Sequence, residues 1–137
     1  MSETRDVQII SLEGARTLAA AAEAEALKRG WTVAIAVVSP EGGLVLFHCL
    51  DGTQPASQDI AVAKARTAAR FKRPTKAMED GVAGGRHALL SVPALMLEGG
   101  VPVKRNGQII GAIGISGMTS AEDGVIAAAA LAAWPGA

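Results

Sequence analysis

The chain has 137 residues, half of them hydrophobic, with 13 Lys plus Arg against 13 Asp plus Glu. That length suits a single domain, residues 1–137, with a core that needs no disulfide or metal, and the balanced charge gives no global field to draw it to nucleic acid or an anionic membrane. Cys49 is the single cysteine, the longest apolar run near the end (GVIAAAALAAW) is far short of a bilayer span, and the start MSETRDVQIISLEG lacks the basic and apolar regions of a secretory signal, so a cytoplasmic protein is expected.

Ser11 is a candidate N-cap, followed by Leu12, Ala15, Leu18, Ala19, Ala22 and Ala26 at helical spacing. Lys28 and Arg29 in the last turn and Gly30 beyond it close a helix over about residues 11–29. WTVAIAVVS is a continuous β-branched run, which predicts a strand covered on both faces. After the PEGG turn, LVLFHCLDG predicts an antiparallel partner. Alternation puts Leu44, Leu46, His48 and Leu50 on one face, with Val45, Phe47 and Cys49 on the other.

Ser57 is read as the cap of a second helix that runs to about Phe71 and is stopped by Pro74. Its spacing makes two faces: Ala61, Lys64, Ala65, Ala68 and Phe71 on one, and Asp59, Ala63, Arg66, Arg70 and Arg73 on the other. Thr75 is read as capping a short third helix through Glu79, and GVAGGRHALLSVP as a loop or broken helix. ALMLEGGVPVKR and QIIGAIGIS, joined by Asn106-Gly107 as a type I′ turn, give two or three more strands. Thr119 or Ser120 caps a last, Ala-rich helix with Glu122 and Asp123 in its first turn. Its final residues include Trp134, read either as an oligomer contact or as part of a plain core helix. Antiparallel strands in runs separated by helices predict an α+β layered domain. GAIGISG is not a dinucleotide fingerprint and AGGRH is not a P-loop.

The candidate site residues follow from burial and charge. Lys64, among alanines on the buried side of its helix, needs a carboxylate or carbonyl partner or a lowered pKa, and Asp51 and Glu98 are the carboxylates considered. A structural ion pair is the commoner outcome; a substrate anchor or general base is the alternative. Gly111, Gly114 and Gly117 leave room for another backbone or a ligand. The strand end at Ser116-Gly117 points into a helix N-terminus, which attracts an anion; Asp123 can itself fill that role, or a ligand can bind there beside Glu98, Gly99 and Gly100. His48 and His87 lack metal spacing, so no metal site is expected. His48 is read as a core or interface histidine, with haem ligation as the sharper alternative. His87 with Arg86 can reach a carboxylated ligand or can simply be solvated. The basic run Arg66, Arg70, Lys72, Arg73 and Lys76 lacks interleaved aromatics and reads as a solvated face, able to steer an acidic ligand.

Two segments, FHCLDGTQPASQDIAVAKARTAARFKRPT and EGGVPVKRNGQIIGAIGISGMTSAED, resemble the GlcG/HbpS-like family, whose domain also forms the C-terminal part of PduO-type cobalamin adenosyltransferases. The resemblance rests on Asp51-Gly52, Lys64-Ala65-x-Thr67-Ala68, Glu98-Gly99-Gly100 followed by a hydrophobic residue and Pro102, and the run from Gly111 to Gly117. It covers nearly the whole chain. It implies a five-stranded antiparallel sheet flanked by helices in a three-layer α/β/α arrangement of profilin/PAS-like topology, and homo-oligomers that are dimers or higher. It also implies a small-molecule binder, with haem or another tetrapyrrole as ligand. The alternative is an enzyme acting on a small organic acid or carbonyl compound, with Lys64, Asp51, Glu98 or His87 moving protons and Arg86 or the Ser116-Gly117 amides holding the anion.

Overall fold

The computed structural model describes residues 2–135. Helix α1 (Leu12–Arg29) starts at Ser11, whose hydroxyl accepts from the Gly14 N–H at 3.0 Å, and ends at Gly30 in the left-handed conformation. It is followed by β1 (Ala34–Val38), β2 (Leu44–Cys49), α2 (Ala56–Phe71), α3 (Thr75–Ala83), a 3₁₀ turn (His87–Ser91), β3 (Gly100–Arg105), β4 (Gln108–Ser116) and α4 (Ser120–Ala132). Asn106 and Gly107 both have positive φ, as a two-residue type I′ hairpin requires, and they join β3 to β4 with Arg105 paired to Gln108.

The strands form one antiparallel sheet in the order β2-β1-β4-β3. Every residue of β1 is buried, as its β-branched run demands. One face carries Val33, Ile35, Val37, Ile113 and Ile115 against Leu18, Ala22 and Ala26 of α1 and Ile126 and Ala130 of α4. Trp134 joins this core and donates its ring N–H to the Lys104 carbonyl at 3.1 Å, so the core reading holds for it. The opposite face carries Ala34, Ala36, Val38 and Ala112 against Ala61, Ala65 and Ala68 of α2. The apolar material is thus divided into a large-residue layer and a small-residue layer, and α2 sits close to the sheet.

Five expectations need correction. The sheet has four strands, not five. Residues 94–99, expected to extend a strand, give two of their backbone donors to helix side chains instead: the Leu95 N–H bonds Thr67 Oγ1 at 2.9 Å and the Glu98 N–H bonds the Glu79 carboxylate at 3.3 Å. Neither Ser57 nor Thr75 is a cap. Pro55 and Pro74 hold those positions without side-chain bonds, Ser57 is buried in the first turn, and α3 continues past Glu79 to Ala83. The alternation along β2 also breaks. A bulge opposite Val37/Val38 pairs Leu44 with Val38 and Leu46 with Val37. Leu46 and Val45 therefore both pack on the α1 side, while Leu44 turns towards α2.

Close seating of α2 depends on two glycines that are cross-strand partners, Gly100 and Gly114. A methyl at Gly114 would overlap the Ala61 carbonyl oxygen and lie 2.5 Å from the Ala65 nitrogen, and one at Gly100 would overlap the Lys64 carbonyl. Both obstacles are helix backbone, which cannot rotate away. Gly114→Ala is therefore expected to lower stability by about 2–3 kcal/mol, read as a shift of the urea midpoint at unchanged slope; a midpoint within error of wild type would show that α2 is not seated so closely.

Candidate functional site

The residues that the sequence singles out at the end of β4 converge on one buried centre. Because α2 rests on Gly100, Lys64 is carried past the sheet end, from the small-residue layer towards α4 on the other face. Its Nζ donates to the Ile115 carbonyl at 2.9 Å and to Asp123 Oδ2 at 2.9 Å. The Lys64 side chain is 2% exposed and that of Asp123 1%. Gly99 makes room for the pair, since a side chain there would meet the Ile115 oxygen, Lys64 Nζ at 2.9 Å and Asp123 Cβ at 3.1 Å.

Asp123 is held by the start of α4. Thr119 caps the helix, with the reciprocal Glu122 bond that completes a capping box. The Met118 N–H donates to Asp123 Oδ1 at 2.9 Å. Burial pushes the Asp123 carboxyl above its ordinary value of 3.8; the bond from Lys64 and the Met118 and Gly117 amides act in the opposite direction without overcoming it. The anion at this helix N-terminus is the protein's own carboxylate.

The partner of Lys64 is therefore neither Asp51 nor Glu98. Asp51 lies exposed after β2, without a hydrogen bond or ion pair among the described residues. Glu98 lies nearby, but its carboxylate packs over Gly124 in α4, and its N–H goes to Glu79. Gly99, Gly100, Ser116 and Gly117 surround the pair as backbone. Ser116 is 4% exposed and Gly117 has a φ of 150° with its Cα face against the Thr32 carbonyl. Thr75 was missed as a site residue: its hydroxyl accepts the Gly100 N–H at 2.9 Å and donates to the Gly100 carbonyl at 3.3 Å, tying the start of β3 to α3. The sequence signal for Asp123 is its place as an acid in the first turn of α4, where it fills the anion role at the helix N-terminus.

The histidines lie elsewhere. His48 is on β2, an edge strand, with its side chain 44% exposed and Nδ1 3.8 Å from the Glu23 carboxylate of α1. Arg86 and His87 are exposed at the start of the 3₁₀ turn. Among the described residues no group of three or more His, Cys, Asp and Glu side chains could hold a metal, and no helix is long and apolar enough to cross a membrane.

The family model of the haem degrading protein HbpS-like family matches residues 10–132. The chain belongs to the HbpS-like family. Protein GlcG of Escherichia coli K12 is 46% identical over 109 residues, 79% of this chain and 81% of GlcG. A double mutant of Streptomyces reticuli HbpS superposes with a TM-score of 0.86 at 32% identity, covering 96% of this chain and 91% of HbpS. The PduOC:heme complex superposes with a TM-score of 0.82 at 28% identity, covering 91% and 94%. In this HbpS-like chain the family's lysine, glycine and glutamate motifs meet around the buried Lys64–Asp123 pair.

Two measurements test that centre. Removing one partner strands a buried charge, so Lys64→Met should cost about 3–5 kcal/mol, and pairing it with Asp123→Leu should recover most of the loss; equal and additive losses in urea denaturation would deny the pairing. The folded carboxyl of Asp123 titrates above its ordinary value, so its contribution to stability is complete below pH 3.8 and is lost as pH rises through the folded value. The stability of wild type relative to Asp123→Asn should accordingly fall as pH rises from about 3.8, and a difference that grows with rising pH would reverse the sign.

Proposed function

We propose that the chain is a small-molecule-binding protein whose ligand is haem or another tetrapyrrole. The observation that carries the ligand class is the near-full-length likeness to the PduOC domain, a protein solved with haem. The geometry favours binding over acid/base catalysis. Lys64 and Asp123 are sealed at 2% and 1% exposure, so the chain's closest proton-transfer pair cannot touch a substrate. Asp51 and His87, which would share that chemistry, are at separate exposed positions.

Haem asks for an axial nitrogen or sulfur donor and apolar cover for its faces. His48 meets the first requirement as an accessible imidazole: its side chain is 44% exposed on the β2 edge, with Nδ1 3.8 Å from the Glu23 carboxylate. Leu27, one turn beyond Glu23 on α1, is 66% exposed and supplies apolar surface on the same side. Three clefts of one copy, of about 620, 480 and 720 Å³, are lined by residues other than His48. The reading therefore places the ligand against the β2 edge, with the remaining cover coming from a second copy in a homo-oligomer.

Titration of the purified protein with haem, followed by the Soret band, tests this. The expected result is saturation near one haem per subunit, lost in His48→Ala with unchanged thermal stability and retained in His87→Ala. Non-saturating absorbance that is the same in wild type and His48→Ala would remove haem from the reading.

A further inference from the structure

The outward face of α2 carries a second feature, independent of the haem reading. Arg66 and Arg70 lie four residues apart on the helix and both reach back to the turn between β1 and β2. Arg66 Nε donates to the Gly42 carbonyl at 2.9 Å, and Arg70 Nε donates to the Glu41 carbonyl at 3.0 Å. The turn is shaped for them. A side chain at Gly42 would sit 2.6 Å from Arg70 Nε and 2.9 Å from its guanidinium carbon, so Arg70 lies flat on bare backbone. Each guanidinium is fixed through Nε alone. Among the described residues neither forms an ion pair, and their terminal nitrogens, two on each, have no hydrogen-bond partner.

Two cations one helical turn apart repel each other, and such a pair weakens a helix unless an anion lies between them. Here they border a cleft of about 620 Å³. Its lining includes apolar side chains: Val62 and Ala63 of α2, the half-exposed Leu44 brought to the α2 face by the β2 bulge, and Leu95. The wall is fastened, because Thr67 Oγ1 donates to the Ala63 carbonyl at 2.8 Å and accepts the Leu95 N–H at 2.9 Å. Thr67 therefore has its hydroxyl proton committed to structure. Asp59 closes the opposite end of the cleft, seven residues before Arg66 and paired with neither arginine. A forked pair of cations at one end and apolar walls between matches a carboxylate with a hydrocarbon body, and Asp59 disfavours a second anionic group at the far end.

We infer that this cleft is a binding site for a small organic monocarboxylate with an apolar body, held by Arg66 and Arg70. The site is on the α2 side of the sheet, whereas His48 faces α1, so the two readings fail or stand separately.

Hexanoate is a suitable probe, with acetate, hexanol and inorganic phosphate as comparisons, followed through the methyl resonances of Val62, Leu44 and Leu95. The expected result is saturable shifts with hexanoate at a Kd on the order of millimolar, weakened about tenfold by Arg70→Gln, with Arg70→Lys in between because a point charge replaces the fork. Acetate and hexanol should bind more weakly than hexanoate. Shifts with hexanol equal to those with hexanoate, or unchanged affinity in Arg70→Gln, would overturn the assignment to the arginines. Phosphate binding as well as hexanoate would overturn the role of the apolar walls, and the absence of any saturable shift would overturn the site. Thermal melting confirms that Arg70→Gln is folded; should it not be, Arg66→Gln, which removes the other guanidinium of the pair, makes the same comparison.

Discussion

The contact between the α2 backbone and the paired glycines Gly100 and Gly114 sets the geometry of everything around it. With no side chain on either strand at that level, the helix approaches until its own carbonyls touch the sheet, and the facing residues must be as small as Ala61, Ala65 and Ala68. That distance allows Lys64 to run past the sheet end and reach α4 on the other face. It also fixes how far Arg66 and Arg70 stand from the turn at Glu41 and Gly42. Adding a side chain at either glycine moves the inward and the outward chemistry of α2 together.

The Lys64–Asp123 pair is better understood as a fastening than as a store of stability. Two charges taken out of water lose hydration that their mutual attraction only partly offsets, and the raised carboxyl of Asp123 is the sign that burial dominates. What the pair accomplishes is positional. Lys64 satisfies the Ile115 carbonyl where the ladder ends, and Asp123 satisfies the Met118 amide before α4 begins. The strand-to-helix turn thereby has one conformation, and both helical layers are joined through it.

Much of this was legible in the chain. Lys64 could be placed on a buried face because its neighbours at three- and four-residue steps are alanines, and the caps at Ser11 and Thr119 and the Asn106-Gly107 turn are local signals that carry their own geometry. The partner of Lys64 was not legible. Asp123 is 59 residues further on, and Asp51 and Glu98 sit in equally suggestive glycine-flanked strings, so only the packing of α4 against the sheet end decides among them. The missing fifth strand has a similar cause. Residues 94–99 have a strand-like composition at Ala94-Leu95-Met96-Leu97, but Thr67 and Glu79, remote in sequence, capture two of their backbone donors. The bulge in β2 escaped because alternation assumes an unbroken register, and LVLFHC contains no glycine to mark the break.

That bulge matters for how the molecule divides its surfaces. Without it Leu44 would share a face with Leu46 and His48, and the cleft beside Arg66 and Arg70 would lose an apolar wall. With it, one six-residue edge strand offers His48 to the α1 side and Leu44 to the α2 side. The strongest buried charges are withdrawn into the sheet end, where nothing can reach them. The exposed chemistry is left on β2 and on the outward face of α2, on opposite sides of a rigid sheet. A ligand on one side need not displace a ligand on the other. Any influence between them would have to pass through β2 itself, whose outer edge is unpaired and whose inner edge is held by β1. β2 and β3 are the two strands of this sheet bonded on one edge only, and β2 is the one that carries His48 to one of these surfaces and Leu44 to the other.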